Sequence, residues 1–341
     1  MNPRSRLRIG KSRLHITRLG LGGAALGGLY SDSSEDTANK TVQRALELGV
    51  PFFDTAPLYG AGKSESRLGR ALAGCDRDLY VLASKVGYAL LPQAAAGHPS
   101  MFFPFDNPPP LRPIFDFSYD GVMRSFEESL IRLGTDRIDI VHIHDPDEHL
   151  QEAMEGAYVA LNKLKQQQVI GALGVGTTRA ETLIRMVQTR QFDCVLLAGR
   201  YTLIDHTALN QALPLCVQKG VSVVIGGPYS SGILATGAVA GATYDYLPAA
   251  GGVLQKVRQI EDSCRKYSVP LKAAALQFPL AHPAVVSIIP GARTAEEVEE
   301  NFRMAEHSIP AEFWADLRSR RLLPEEAPVP VGAKTADSQL P

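Results

Sequence analysis

Short apolar runs alternate along the chain with segments whose apolar residues recur every three to four positions, the pattern of buried strands separated by amphipathic helices. Runs at 18–23, 50–55, 79–85, 138–144, 169–175, 193–198, 221–225 and 285–289 read as strands. Between the first two, EDTANKTVQRALELG sets Ala38, Val42, Ala45 and Leu46 on one helical face, with Ser34 positioned to cap that helix and Gly49 to end it. Eight strand-helix units in 341 residues, undivided by any linker-like stretch, favour one α/β domain folded as a closed (β/α)8 TIM barrel over a doubly wound open sheet. The barrel is expected over 1–325, followed by a flexible tail at 326–341. Ahead of it, LRIGKSRLHI predicts an N-terminal β-hairpin turning at Gly10-Lys11-Ser12 that closes the barrel floor. The connection at 88–119 is too rich in proline for a helix and too aromatic for a solvated linker, so a long substrate-face loop walling a pocket is expected.

Loops that follow the strands of a parallel barrel share one face, and the ends of strands two, three and four are neighbours there. Asp54, Lys85 and His144 close those strands, and Tyr59 follows Asp54 by five residues. A tyrosine, with a reference pKa of about 10, needs a neighbouring cation or strong donor to exchange protons near neutrality. In this grouping Tyr59 exchanges the proton, Lys85 stabilises its phenolate, Asp54 holds Lys85, and His144 orients a carbonyl or hydroxyl oxygen. Each taken alone has a bland reading: a turn aspartate, a solvated lysine, a packed tyrosine. His142 and His144 also form an HxH pair, which opens the metal site of some barrel hydrolases. Strands five to eight supply no further ligands at their ends, so no metal is expected, a metal-dependent hydrolase is a remote alternative, and His142 reads as an interior residue near the pocket.

A formal net charge of -1 without long basic blocks gives no footprint for nucleic acid or an anionic membrane surface. The basic N-terminus lacks a signal-peptide apolar stretch, and no run reaches the ~18 apolar residues of a membrane span. Cys75, Cys194, Cys216 and Cys264 never form CxxC. A soluble, cytoplasmic protein is expected, its oligomeric state open.

The segments FFDTAPLYGAGKSESRLGRAL, VLASKVG, RLGTDRIDIVHIHDPD and IIPGARTAEEVEENF resemble, in order and spacing, the signatures of the aldo-keto reductase superfamily. GVSVVIGGPYSSGILATG, AGRYTLID and ALQFPLAHPAVVSIIPGAR are similar to its bacterial aldose 1-dehydrogenase branch, which includes L-fucose, D-threo-aldose and L-galactose dehydrogenases and pyridoxal 4-dehydrogenase. The resemblance implies a barrel that binds a nicotinamide cofactor without a Rossmann fold, a tetrad of Asp54, Tyr59, Lys85 and His144, and NAD(P)-dependent oxidation of the anomeric carbon of free aldoses to lactones. It leaves pyridoxal oxidation or broad aldehyde and ketone reduction as alternatives, and a cofactor-sensing regulatory subunit as a remote one. A small-molecule sugar or aldehyde is the implied partner.

The same resemblance assigns the cofactor groove. Gly23 lies in the glycine-rich turn after strand one, where small residues let cofactor and loop backbones approach. The Ser-Asn pair and Gln that hold the carboxamide elsewhere read Gly176-Thr177 and Leu196 here, leaving Thr177 as the donor. Gly226 stands where an aromatic often stacks on the nicotinamide before Pro228, so either Tyr229 or bare backbone faces the ring. Gly232, Ile233 and Leu234 resemble the pyrophosphate cradle, and Glu300 and Asn301 the adenine contacts. Gly291 and Glu297 replace the Lys and Arg that grip a 2′-phosphate, so NAD is expected, while Arg293 keeps NADP open. Arg112 and Tyr119, with Asp106 and Asn107, are the candidate sugar contacts in the long loop.

Overall fold

The computed structural model describes residues 2–93 and 104–330. Eight parallel strands follow one another around a single sheet: β1 (Leu21–Gly22), β2 (Phe52–Asp54), β3 (Val81–Val86), β4 (Ile140–His144), β5 (Ala172–Thr177), β6 (Cys194–Ala198), β7 (Ser222–Gly226) and β8 (Val285–Ile289). Parallel bridges Leu19 to Ile288 and Gly22 to Gly291 join the first strand to the last, with the Gly20 and Gly22 amides donating to the carbonyls of Ile288 (2.9 Å) and Pro290 (3.0 Å). The sheet is therefore a barrel, and each expected strand segment overlaps one of its staves, with β3, β5 and β7 running on to Val86, Thr177 and Gly226, just past the expected ends. β1 is shorter than expected because its pairing with β8 consists of isolated bridges.

The strands are buried on both faces, and their alternation sorts side chains into two layers. Phe52, Ala83, Ile140, Ala172, Cys194 and Val224 fill the barrel interior, whereas Phe53, Leu82, Val141, Leu173, Val195 and Val223 pack against the surrounding helices. The helix Glu35–Glu47 buries Ala38, Thr41, Val42 and Ala45; the Ser34 hydroxyl accepts from the Thr37 amide at its start, and Gly49 takes the positive φ that ends it.

The N-terminal hairpin pairs Arg6–Arg8 with His15–Thr17 and sends Ile9 and Ile16 into the interior cluster. Its turn closes the floor at the N-terminal ends of β6 and β7, where the Gly10 amide donates to Ser222 Oγ (2.8 Å). A Cβ at Gly10 would lie 2.2 Å from the Asp193 carbonyl oxygen, so only glycine permits that approach.

The 88–119 connection differs from the loop expected. Tyr88–Pro92 pairs antiparallel with Leu111–Phe115, and Ser118 caps the helix Tyr119–Leu133. A two-stranded ribbon tolerates Pro113 because its missing amide breaks no continuous ladder. Residues 94–103 of the expected loop lie outside the described residues. At the other end, Ala327 is buried and its carbonyl accepts from Arg318 Nη2 (2.6 Å), so packing continues past residue 326; residues 331–341 of the expected tail lie outside the described residues.

Candidate active site

Period-two alternation turns Asp54, Lys85, His142 and His144 to the barrel interior, together with Gly176, Leu196 and Gly226 from the opposite strands. The upper layer of the barrel is consequently asymmetric. β2, β3 and β4 supply polar side chains, while β5 and β7 turn Gly176 and Gly226 inward and leave space. That space is a cavity of about 620 Å³ lined by Gly22, Gly23, Asp54, Tyr59, His144, Gly176, Thr177, Leu196 and Gly226, among others.

Lys85 Nζ donates to Asp54 Oδ2 (2.6 Å) and to the Thr55 carbonyl (2.8 Å), and lies 4.6 Å from the centroid of the Tyr59 ring. The His144 ring meets Tyr59 edge-on at 5.9 Å and is backed by Tyr88 at 5.3 Å. The tetrad read from sequence is thus one contiguous group.

Tyr59 is held by the turn that follows β2. The Gly60 Cα faces the Gly27 carbonyl so closely that a Cβ there would come within 2.2 Å of its oxygen, and Gly60 has φ +62°. The glycine-rich segment after β1 thus serves this contact between loops. Ser64 donates to the Gly23 carbonyl (2.7 Å) and shares a hydrogen bond with the Thr55 hydroxyl (2.8 Å). Buried Glu65 takes bonds from Ser84 Oγ (2.7 Å) and Arg132 Nε (2.6 Å), pinning the helix Lys63–Leu72 that follows.

Burial dominates the electrostatics. It pushes the Tyr59 phenol well above its ordinary range, reinforced by the charges of Asp54 and Asp145. Burial also holds His144 well below the usual imidazole range, with Lys85 and His142 adding to the effect, and lowers His142 to about 3. Both rings are therefore neutral, so His144 has a hydrogen bond rather than a charge to offer. For Asp54, burial raises the carboxyl while the Lys85 cation opposes it.

A second cavity, of about 380 Å³, adjoins the first and shares Ala25, Leu29, Gly227, Tyr246 and Gly291 with it. Pro228, Tyr229, Gly232, Arg293, Glu297, Glu300 and Asn301 line it. Arg293 is engaged by Glu297 through its backbone amide (2.8 Å) and guanidinium (3.2 Å), and also donates to Ser31 Oγ (2.9 Å). Tyr229 donates to Asn301 Oδ1 (2.6 Å), which fixes it at this far end and leaves Gly226 backbone facing the first cavity.

Several assignments differ from the sequence reading. Ile233 and Leu234 are fully buried behind Gly232, and the Leu234 amide is spent on the Tyr229 carbonyl, so neither lines the groove. Thr177 gives its hydroxyl proton to Asp147 (2.7 Å) and accepts from the Arg179 amide (2.9 Å), leaving no proton for a carboxamide. Arg112 and Tyr119 stand outside both cavities, the first on the ribbon and the second with its ring 5.6 Å from Lys163 Nζ. Asp106 and Asn107 are also outside, tied to Gly28 and Asp32. His142 lies beneath the cavity, its Nδ1 without a partner. Among the described residues no group of three or more His, Cys, Asp or Glu is positioned to hold a metal, and no helix is long and apolar enough to cross a membrane.

Sequence reasoning missed Asp145, Phe105 and Tyr246, all of which line the first cavity. Tyr246 sits on a short ribbon, Thr243–Tyr244 paired with Leu247–Pro248, that covers the groove and is latched by Asp245 to Arg200 Nη2 (2.9 Å). The Asp-Pro step in HIHDPD was the available signal for Asp145.

Comparison with known proteins agrees with this geometry. The chain is 37% identical over 333 residues to a pyridoxal 4-dehydrogenase from Microbacterium luteolum, covering 92% of this chain and 97% of that one. It is 36% identical over 315 residues to a D-threo-aldose 1-dehydrogenase from a Pseudomonas species, covering 91% and 96%. The holo form of an aldo-keto reductase from Bacillus halodurans superposes with a TM-score of 0.73 at 27% identity, over 92% of this chain and 95% of its own. Residues 18–321 match the Aldo/keto reductase family, and the chain belongs to it.

Proposed function

We propose that this protein is a NAD-dependent dehydrogenase that oxidises the anomeric carbon of a free aldose to the lactone, with Tyr59 as its acid-base residue. The observation that carries this reading is the group of buried Lys85, Asp54 and His144 with partly buried Tyr59, facing a cavity whose opposite side presents Gly176 and Gly226. Aldo-keto reductases use NAD(P)H, and the two joined cavities suit an extended dinucleotide. Gly176 and Gly226 leave a flat ring room to lie against backbone. A Cβ at Gly226 would sit 3.0 Å from Leu196 Cδ2, crowding that surface. Asn301, Glu300, Glu297 and Arg293 would hold the adenosine half.

NAD, when bound, supplies the hydride acceptor; the chain supplies orientation and the proton path. A hemiacetal hydroxyl reaching Tyr59 and His144 is pinned by both, and its proton passes to the Tyr59 oxygen as the carbon is oxidised. The Lys85 cation, held in place by Asp54, stabilises charge on that oxygen. Neutral His144 donates to the substrate oxygen and keeps it aligned. Because Glu297 occupies Arg293, a 2′-phosphate would meet a carboxylate rather than a free guanidinium, which favours NAD over NADP.

The test is nicotinamide absorbance with NAD or NADP against L-fucose, D-arabinose, L-galactose, D-glucose, pyridoxal and simple aldehydes. Sugar-dependent NAD reduction is expected; NADPH-dependent aldehyde reduction without sugar oxidation would refute the reading. Similarity to the pyridoxal 4-dehydrogenase supports a second reading, oxidation of pyridoxal, for which Leu58, Phe105 and Tyr246 supply apolar walls.

A further inference from the structure

Asp145 follows His144 directly and lines the catalytic cavity. In a regular strand it would point away from His144, into the helix layer. Its φ of +46° breaks the alternation, while its amide still donates to the Gly176 carbonyl (2.8 Å). A left-handed aspartate is tolerated but not free of cost. The result is a carboxylate whose Oδ2 lies 3.6 Å from His144 Nε2 and 3.4 Å from the Tyr88 hydroxyl.

This carboxylate has no cationic partner among the described residues, since His144 is neutral and Lys85 is committed to Asp54 and Thr55. The fully buried aspartates are paired, Asp54 with Lys85, Asp139 with Arg77 and Asp193 with Lys165, whereas Asp145 is only partly buried at the cavity wall. Its neighbour Asp147 is satisfied by the Thr177 and Thr182 hydroxyls and is not a wall of the cavity. Burial and the Asp147 charge raise the Asp145 carboxyl to about 7, the environment of an acceptor that the fold alone leaves under-compensated. The Asp145 and His144 polar atoms are separated by about the spacing of neighbouring hydroxyl oxygens on a polyol. An oxygen held by His144 and Tyr59 therefore brings the hydroxyl of the next carbon to Asp145.

We propose that Asp145 is a specificity-determining residue whose carboxylate accepts a hydrogen bond from the hydroxyl on the carbon beside the one oxidised, so that the site selects 2-hydroxy hemiacetals and 2-hydroxy aldehydes. The inference rests on the aldose reading above and deepens it. An aldehyde or hemiacetal without that hydroxyl covers a cavity-wall acceptor and leaves it unpaired, the situation in which polar sites discriminate most strongly.

The test couples a protein group to a substrate group. Wild type, Asp145→Ala and Asp145→Asn, the last chosen because asparagine also accepts a positive φ, are assayed with L-fucose against 2-deoxy-L-fucose. The same proteins are assayed in the reductive direction with lactaldehyde against propanal. Calorimetric binding of the two sugars to NADH-loaded protein repeats the comparison without turnover. Wild type should prefer the hydroxylated member of each pair by about 30-fold, the worth of one hydrogen bond to a charged group. Asp145→Ala should reduce that preference to within a few fold, with Asp145→Asn between. Equal losses for both members of each pair, the outcome of a merely structural role or of an effect through His144, would overturn the proposal. So would a wild-type preference that survives in Asp145→Ala, or none in wild type. Preference for lactaldehyde over propanal, lost in Asp145→Ala, in a protein that oxidises no sugar would refute the aldose reading and uphold this one.

Discussion

Removing the Asp54 carboxylate should damage stability and activity together, and removing Lys85 as well should restore only stability. The two side chains are 2% and 1% exposed and meet at 2.6 Å, and the remaining acceptor for the ammonium is the Thr55 carbonyl at 2.8 Å. Asp54→Leu therefore strands a buried cation, and breaking a buried pair from one side costs about 3–5 kcal/mol. At an unfolding entropy of ~2.1 cal/mol/K per residue over 341 residues, that corresponds to a fall in Tm of roughly 4–7 °C. The Asp54→Leu/Lys85→Met pair replaces both charges with apolar groups of similar length and should recover most of the loss. Activity should not follow, because the cation beside Tyr59 has lost its Asp54 anchor in the single variant and is absent in the double; a drop of about 10²–10³ in kcat is expected in both variants. Scanning calorimetry and nicotinamide absorbance on the same preparations decide the matter. A single variant within about 1 °C of wild type, or a double variant no more stable than the single, would refute the stranded-charge argument.

Burial raises the Tyr59 phenol, so its base form is scarce near neutrality; the oxidation rate should climb about tenfold per pH unit through the range of about 7 to 9, and a flat profile would contradict the assignment. Glu297→Ala should free Arg293 and remove a negative charge, lowering the NADP-to-NAD ratio of dissociation constants by about 10-fold in calorimetric titration. Asp245→Ala should unlatch the ribbon from Arg200 and weaken NADH binding by about 5-fold, consistent with a half-exposed ion pair; unchanged affinity would mean the ribbon holds without it.

The tetrad was legible because its logic is local. Asp54, Lys85 and His144 close successive apolar runs, and alternation fixes the face each one takes. The barrel was legible for the same reason, down to the hairpin under its floor. What sequence could not supply depends on long-range pairing. Nothing local says that Leu90 will face Pro113, which carries Arg112 away from the cavity. Tyr246 reaches the groove because a ribbon far along the chain folds over β1 and β7. The left-handed turn at Asp145 reverses the side that alternation assigns, so the residue beside His144 was overlooked. Thr177 was correctly positioned at the cavity but misread as a donor, since Asp147 takes its proton.

The central claim is that Tyr59 carries the proton in a nicotinamide-dependent oxidation. Tyr59→Phe removes one oxygen from a partly buried ring, and its effect should appear in turnover alone. The decisive measurement pairs NADH affinity by calorimetry with kcat for the best aldose in wild type and Tyr59→Phe. The account predicts unchanged NADH affinity and a fall in kcat of about 10²–10⁴; a variant that still oxidises the sugar at a rate near that of wild type would contradict it.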